Sequence, residues 1–192
     1  MDTSDKLATS DKLATSDKLA TSDKRQTWLD EAAAMRVNLG EPGVADRETL
    51  RARSGMEFLE GIASGAIPPA PIAELLGITP IAVEPGRTVF QGLPTLAHYN
   101  PSGVVHGGYA ASLLDTAVGC AIHTMLPAGK GYTTLELKVN YIRAMTDKTG
   151  PVRAEAKVVN LGGQVGIAEG RITDANGKLY AYATTTCLVF DI

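Results

Sequence analysis

One segment sets the terms for the rest of the chain. Residues 107–126, GGYAASLLDTAVGCAIHTML, read as a single helix that is apolar nearly all round. A helix without a polar face must be enclosed on most of its sides. Its length would be roughly 30 Å. Ser112, Asp115, Thr116, His123 and Thr124 interrupt the apolar run, so a buried helix explains it better than a membrane span. Strand-like segments follow at 131–143, 151–161, 164–174 and 178–190, punctuated by Gly150-Pro151, Gly162-Gly163 and Asn176-Gly177. The last of these is a strong hairpin signal. Upstream, ITPIAVEPG and RTVFQGLPTLAHY read as strand, turn and strand. One enclosed helix among short-linked antiparallel strands predicts an α+β architecture, with a curved sheet of five to six strands wrapped around the helix.

The N-terminal part cannot contribute to that core in the same way. Residues 3–24 repeat TSDKLA and end on TSDK. Six residues advance a helix by about 600°, so Leu7, Leu13 and Leu19 point in different directions and no stripe forms. This predicts a solvated tail over 1–24 without a function. Next comes a helical flank over 25–77, and then the main domain over 78–192. Within the flank, QTWLDEAAAMRVNL runs to Gly40. Residues 46–64 form a second helix capped by Asp46 and stopped by Gly65, and IPPAPIAELLGI gives a short turn ended by Gly77.

Composition narrows the partners. The net charge is −3 and no basic block stands out, which argues against nucleic acid. Cys120 and Cys187 lie in apolar surroundings outside any CxxC pattern. They read as reduced, buried thiols of a cytoplasmic protein. The N-terminus carries charge every few residues without an apolar stretch, so a signal peptide is not expected.

The chemistry concentrates in NPSGVVHGGYAASLLD. At helical spacing the neighbours of Asp115 are Gly108, Ala111, Ser112, Gly119 and Ile122, four of them small. No Lys or Arg lies one turn away. A carboxylate over a small-residue surface is either an acid that reaches solvent or a buried partner, or one held in a partly dry site as general base or nucleophile. The Gly-Gly step is likewise either a turn device or a bare helix start. Unpartnered amides at such a start could bind a developing oxyanion, an effect of about 3–4 kcal/mol. On the strand GYTTLELKVNYIR, parity places Thr133, Leu135, Leu137, Val139 and Tyr141 on the face toward the helix. Leu113, Leu114 and Leu135 are then expected to line an apolar pocket.

These residues resemble a known family. HGGYAASLLD with Asn100 six residues before the histidine, the following TTLELKVNYIR, the Gly162-Gly163 hairpin and GKLYAYATTTCLVF are similar to hotdog-fold acyl-CoA thioesterases of the phenylacetate-pathway type, over about residues 66–190. The resemblance implies a hotdog fold, subunits paired edge to edge as a dimer or dimer of dimers, and sites at the subunit interface. It implies that Gly107 supplies the backbone donor to the thioester carbonyl. Asp115 of the facing subunit then activates water or attacks directly. Asn100 orients water or substrate, and Thr133 assists the water. His106, Gly108, Ser112, Gly162 and Gly163 contact substrate. No cofactor or metal is implied. Where relatives carry a basic residue beside the hairpin glycine, this chain has Gly163-Gln164. That leaves Lys138, Arg143, Lys157 and Arg171 as candidates for phosphate contacts.

Four other readings compete. Ser102, His106 and Asp115 suggest a serine hydrolase, but no GxSxG elbow exists. His98, His106 and Asp115 lack metal-ligand spacing. A hydratase would use His106 with an acid. A non-catalytic acyl-CoA binder would keep the pocket and not need Asp115. The reading that accounts for Asn100, Gly107, Asp115 and Thr133 together is hydrolysis of a small aromatic or medium-chain acyl-CoA to the free acid and coenzyme A.

Overall fold

The computed structural model describes residues 23–192. The TSDKLA repeat up to residue 22 lies outside them. The flank consists of α1 (residues 23–38), α2 (Arg47–Ala52), α3 (Gly55–Ala63) and α4 (Pro71–Leu76). β1 (Thr79–Glu84) and β2 (Arg87–Gly92) lead to the central helix α5 (Gly107–His123), and β3 (Lys130–Tyr141), β4 (Val152–Leu161), β5 (Val165–Asp174) and β6 (Leu179–Asp191) complete the fold. All six strands form one sheet in the order β1-β2-β4-β5-β6-β3, and every neighbour is antiparallel.

The sheet curls around α5 because its inner face is built of small side chains. Ala154, Ala156, Ala168, Ala181 and Ala183 are buried there. A Cβ on Gly166 would press on Ile122, and one on Gly170 on Val118 and Leu114. From the helix, Leu113, Leu114, Ala117, Val118, Ala121 and Ile122 are all 0% exposed. Leu113 and Leu114 are therefore core rather than pocket lining. Truncating either to Ala would cost about 2–5 kcal/mol.

Three local readings of the sequence need correction. The single helix expected over 46–64 is two. Asp46 does cap α2, accepting from Thr49 N–H at 2.7 Å. Arg53 is extended, however, and Ser54 starts α3 with a capping box to Glu57. The break lets Gly55 lie against the end of α5, where its N–H donates to Leu126 C=O at 2.9 Å. Any Cβ at Gly55 would collide with the His123 carbonyl. The second strand stops at Gly92 instead of continuing toward Tyr99; Pro94 follows and Leu96–His98 form a 3-10 turn.

The third correction concerns β3. Thr134 pairs with Cys187 but Glu136 pairs with Thr186, so Leu135 is an extra residue. A bulge of this kind reverses the facing of the strand beyond it. Tyr132 and Thr134 face the helix before the bulge, and Leu137 and Val139 face it after. Thr133 is exposed and Leu135 is 60% exposed. The inward facing expected of Thr133 and Leu135 does not hold.

The flank packs on both ends of the domain. Trp28 of α1 accepts through its carbonyl from Gln91 Nε2 at 3.0 Å, and the Arg153 guanidinium stacks 4.2 Å above its ring. Arg153 also pairs with Glu31. No described helix is long and apolar enough to cross a membrane.

Candidate active site

The loop before α5 is closed by its own backbone. Asn100 N–H donates to Val104 C=O at 2.8 Å, and its Oδ1 accepts from Ser102 N–H at 2.9 Å. Gly103, with φ +83°, makes the turn that this closure requires. Val105 N–H then donates to Met145 C=O, and His106 N–H to His98 C=O at 2.7 Å. Asn100 is thus the organiser of this loop, which delivers His106 to the helix start.

His106 is the N-cap of α5. Its Nδ1 accepts from Gly108 N–H at 2.8 Å, and its carbonyl accepts from Tyr109 N–H at 3.0 Å. Of the first three amides, only Gly107 N–H has no partner among the described residues. The sequence suggested a bare Gly-Gly step. The structure narrows it to one donor, because Gly108 N–H is occupied. Ser112 Oγ also turns back, donating to Gly108 C=O at 2.9 Å. Tyr141 closes over Gly107: its hydroxyl donates to Gly107 C=O at 3.1 Å, and its ring would stand 3.1–3.3 Å from a Cβ there. Glycine at 107 is what admits that ring. A cleft of about 270 Å³ opens beside this amide, bordered by His106, Ala110, Tyr141, Arg143, Met145 and Tyr180.

Asp115 sits two turns further on and is half-buried. Its Oδ1 accepts from Thr134 Oγ1 at 3.0 Å, and that hydroxyl lies 4.0 Å from Cys187 Sγ. Thr134, not Thr133, is therefore the hydroxyl beside the acid. The sequence carried a signal for it. Tyr132 and the pair Leu137 and Val139 are all apolar but of opposite parity, so they reach one core only if a bulge intervenes. The surroundings of Asp115 hold neutral groups. Burial pushes the Cys120 thiol up to about 12, with the Asp115 charge adding to it. Cys187 and Tyr132 are also raised, first by burial and then by neighbours that include Asp115. Neither thiol is a ready nucleophile.

The remaining candidates lie apart. Eight residues of helix separate Gly107 from Asp115, about 12 Å of rise, so one chain cannot bring both onto a single thioester carbon. Gly162 and Gly163 are exposed at the β4–β5 hairpin, near the Ile122 end of α5. That end is roughly 22 Å along the helix from Gly107. No bond joins Ser102 to His106 among the described residues. His98 stacks on Tyr109 at 4.2 Å, and burial lowers its pKa.

Comparisons with known proteins bear on the family and the fold. Residues 102–181 match the profile of the thioesterase superfamily. The chain is 35% identical over 113 residues to a Saccharolobus solfataricus protein named as an esterase, covering 58% of this chain and 78% of that protein. It is 27% identical over 118 residues to 1,4-dihydroxy-2-naphthoyl-CoA hydrolase of Listeria monocytogenes, covering 62% and 94%. An esterase-named protein of Halobacterium salinarum is 42% identical over 77 residues, and there the match spans only about half of that protein's length (49%) and 38% of this chain. Among solved structures, a phenylacetic acid degradation-related protein of Ralstonia eutropha, described as a thioesterase, superposes with a TM-score of 0.63 at 28% identity, covering 68% of this chain and 98% of that one.

Proposed function

Because the chain belongs to the thioesterase superfamily, with the hotdog fold, we propose that it hydrolyses acyl-CoA thioesters at a site shared between two copies of itself. The thioester carbonyl oxygen accepts from Gly107 N–H at the positive end of α5. The Asp115 carboxylate of the other copy takes a proton from water as the water oxygen attacks the carbonyl carbon. Collapse of the tetrahedral intermediate breaks the carbon–sulfur bond, and the leaving thiolate takes up the proton that Asp115 removed from water, which restores the carboxylate. The products are the free acid and coenzyme A. Thr134 holds Asp115 in place, His106 fixes the helix start, and Asn100 fixes the loop. Thr133, exposed on the other face of β3, is given no part in this chemistry.

The observation that carries this reading is a pair of groups that one chain cannot use together: an unpartnered amide at Gly107 and a half-buried acid about 12 Å further along the helix. A second copy supplies the missing half. β3 supports this, since it is the last strand of the sheet and its outer edge has no partner among the described residues. Such an edge is a template for pairing. Asp115 is bonded to this strand through Thr134, so antiparallel pairing of two β3 strands carries each acid to the seam.

The cleft of about 270 Å³ is near the lower end of ordinary ligand sites, about 300–1,000 Å³. The acyl group proposed is small aromatic or medium-chain. The names of the Listeria and Ralstonia relatives point the same way. Free Cys120 and Cys187 suit a reducing compartment such as the cytoplasm. The test is thiol release from a panel of acyl-CoAs. Asp115→Asn should lower turnover at least roughly 100-fold, the lower range for a general base. Wild-type turnover in that variant, or binding of every acyl-CoA without hydrolysis by the native chain, would reject the proposal.

A further inference from the structure

Four cations, Lys138, Arg143, Lys157 and Arg171, are equivalent in the sequence as contacts for substrate charge. The structure separates them. On β4 and β5, Arg171 stands opposite Glu155 and Lys157 opposite Glu169. Neither forms an ion pair among the described residues, since Glu155 pairs with Arg87 and Glu169 accepts from Tyr182. Both cations border a separate small pocket that does not include Gly107. Lys138 is exposed on β3, on the face away from Leu137 and Val139, which pack on the core. Arg143 alone of the four borders the cleft that Gly107 also lines.

Arg143 is also held and unpaired. Its Nη1 donates to Leu179 C=O at 2.6 Å, which fixes the guanidinium and leaves most of its five N–H groups free. It takes part in none of the ion pairs found among the described residues. Asp174, the acid on the far side of Tyr180, is already engaged: Oδ2 accepts from Tyr180 Oη, and Oδ1 from the amides of Asn176 and Lys178. A guanidinium held on the wall of this cleft is a fork for a phosphate or a carboxylate.

We propose that Arg143 is a specificity-determining residue that anchors an anionic group of the thioester as it enters the Gly107 cleft. The group is a phosphate of the coenzyme A portion or a carboxylate on the acyl chain. This inference rests on the thioesterase reading above. The experiment uses hexanoyl-CoA, adipoyl-CoA, and hexanoyl-N-acetylcysteamine, which carries no phosphate. Arg143→Gln should lower the ratio of kcat/KM for hexanoyl-CoA to that for the cysteamine thioester at least about tenfold. Arg143→Lys, which keeps the charge but not the fork, should restore part of it and stands in if the Gln variant does not fold. A fall confined to adipoyl-CoA relative to hexanoyl-CoA assigns the anion to the acyl chain. A common factor for all three substrates, or changes under about twofold throughout, overturns the proposal. If the native chain hydrolyses none of them, the thioesterase reading fails separately. Calorimetric titration of free coenzyme A then decides Arg143: a tenfold weaker affinity in the Gln variant supports it, and equal affinity overturns it.

Discussion

The two ends of α5 belong to one continuous helix and are finished in opposite ways. At the C-terminal end nearly every group has an internal partner. Thr124 N–H donates to Cys120 C=O, Thr124 Oγ1 accepts from Gly86 N–H at 2.8 Å, and Gly55 of α3 donates to Leu126 C=O. His123 lies between the rings of Phe58 and Tyr132 at 5.5 and 5.3 Å. At the N-terminal end the cap is built with equal care, through His106 and the Asn100 loop, yet one amide is left over and a cleft opens beside it. The sealed end stabilises the fold. The open end keeps one donor, the Gly107 N–H, without a protein partner among the described residues, where water or a ligand can accept from it.

The contrast can be broken from either side. The largest effect is expected at the open end. Gly107→Pro deletes the free N–H at the first helical position, and His106 is already extended as a pre-proline residue must be. The proline ring also crowds Tyr141, so Gly107→Ala, which adds the Cβ and keeps the N–H, is the control that isolates the donor. Turnover should fall about 100- to 1,000-fold, the range for loss of an oxyanion donor, while circular dichroism shows a folded protein. At the sealed end the effect falls on stability. Burial depresses the His123 pKa to about 4, so the unfolded chain binds a proton that the folded chain refuses. Stability is complete above about pH 6.5 and declines as pH falls toward 4, by roughly 3 kcal/mol. Urea melts at several pH values measure that slope, and His123→Phe should flatten it. The smallest effect belongs to the middle of the helix. Thr134→Val removes the hydroxyl on Asp115 and should lower kcat about tenfold, the worth of one hydrogen bond to a charged group. Thr133→Val should leave kcat unchanged in the same assay.

Much of this was legible in the chain. The enclosed helix and its four following strands announced themselves through apolar periodicity and glycine-rich turns, and Gly107, Asp115 and the β4–β5 hairpin could be placed from them. What stayed hidden was set by tertiary contact. The break at Ser54 exists because Gly55 must fit against the His123 carbonyl, a residue far away in sequence. The bulge at Leu135 shifts Thr133 out and Thr134 in, and strict alternation cannot express a one-residue insertion. The occupancy of Gly108 N–H depends on the rotamer of His106. Gly162 and Gly163 look like site residues in a linear motif, but the helix length holds them away from Gly107 within one chain.

The central claim is that one copy's Gly107 amide works with another copy's Asp115. Subunit mixing tests it most directly. Gly107→Pro and Asp115→Asn chains, each inactive alone, are unfolded together in equal amounts and refolded. Shared sites predict recovery of about a quarter of native activity, because half of the dimers are mixed and each mixed dimer regains one intact site. If the mixture stays as inactive as its parents while mixed dimers are shown to form, the two groups do not serve a common site and the account is wrong.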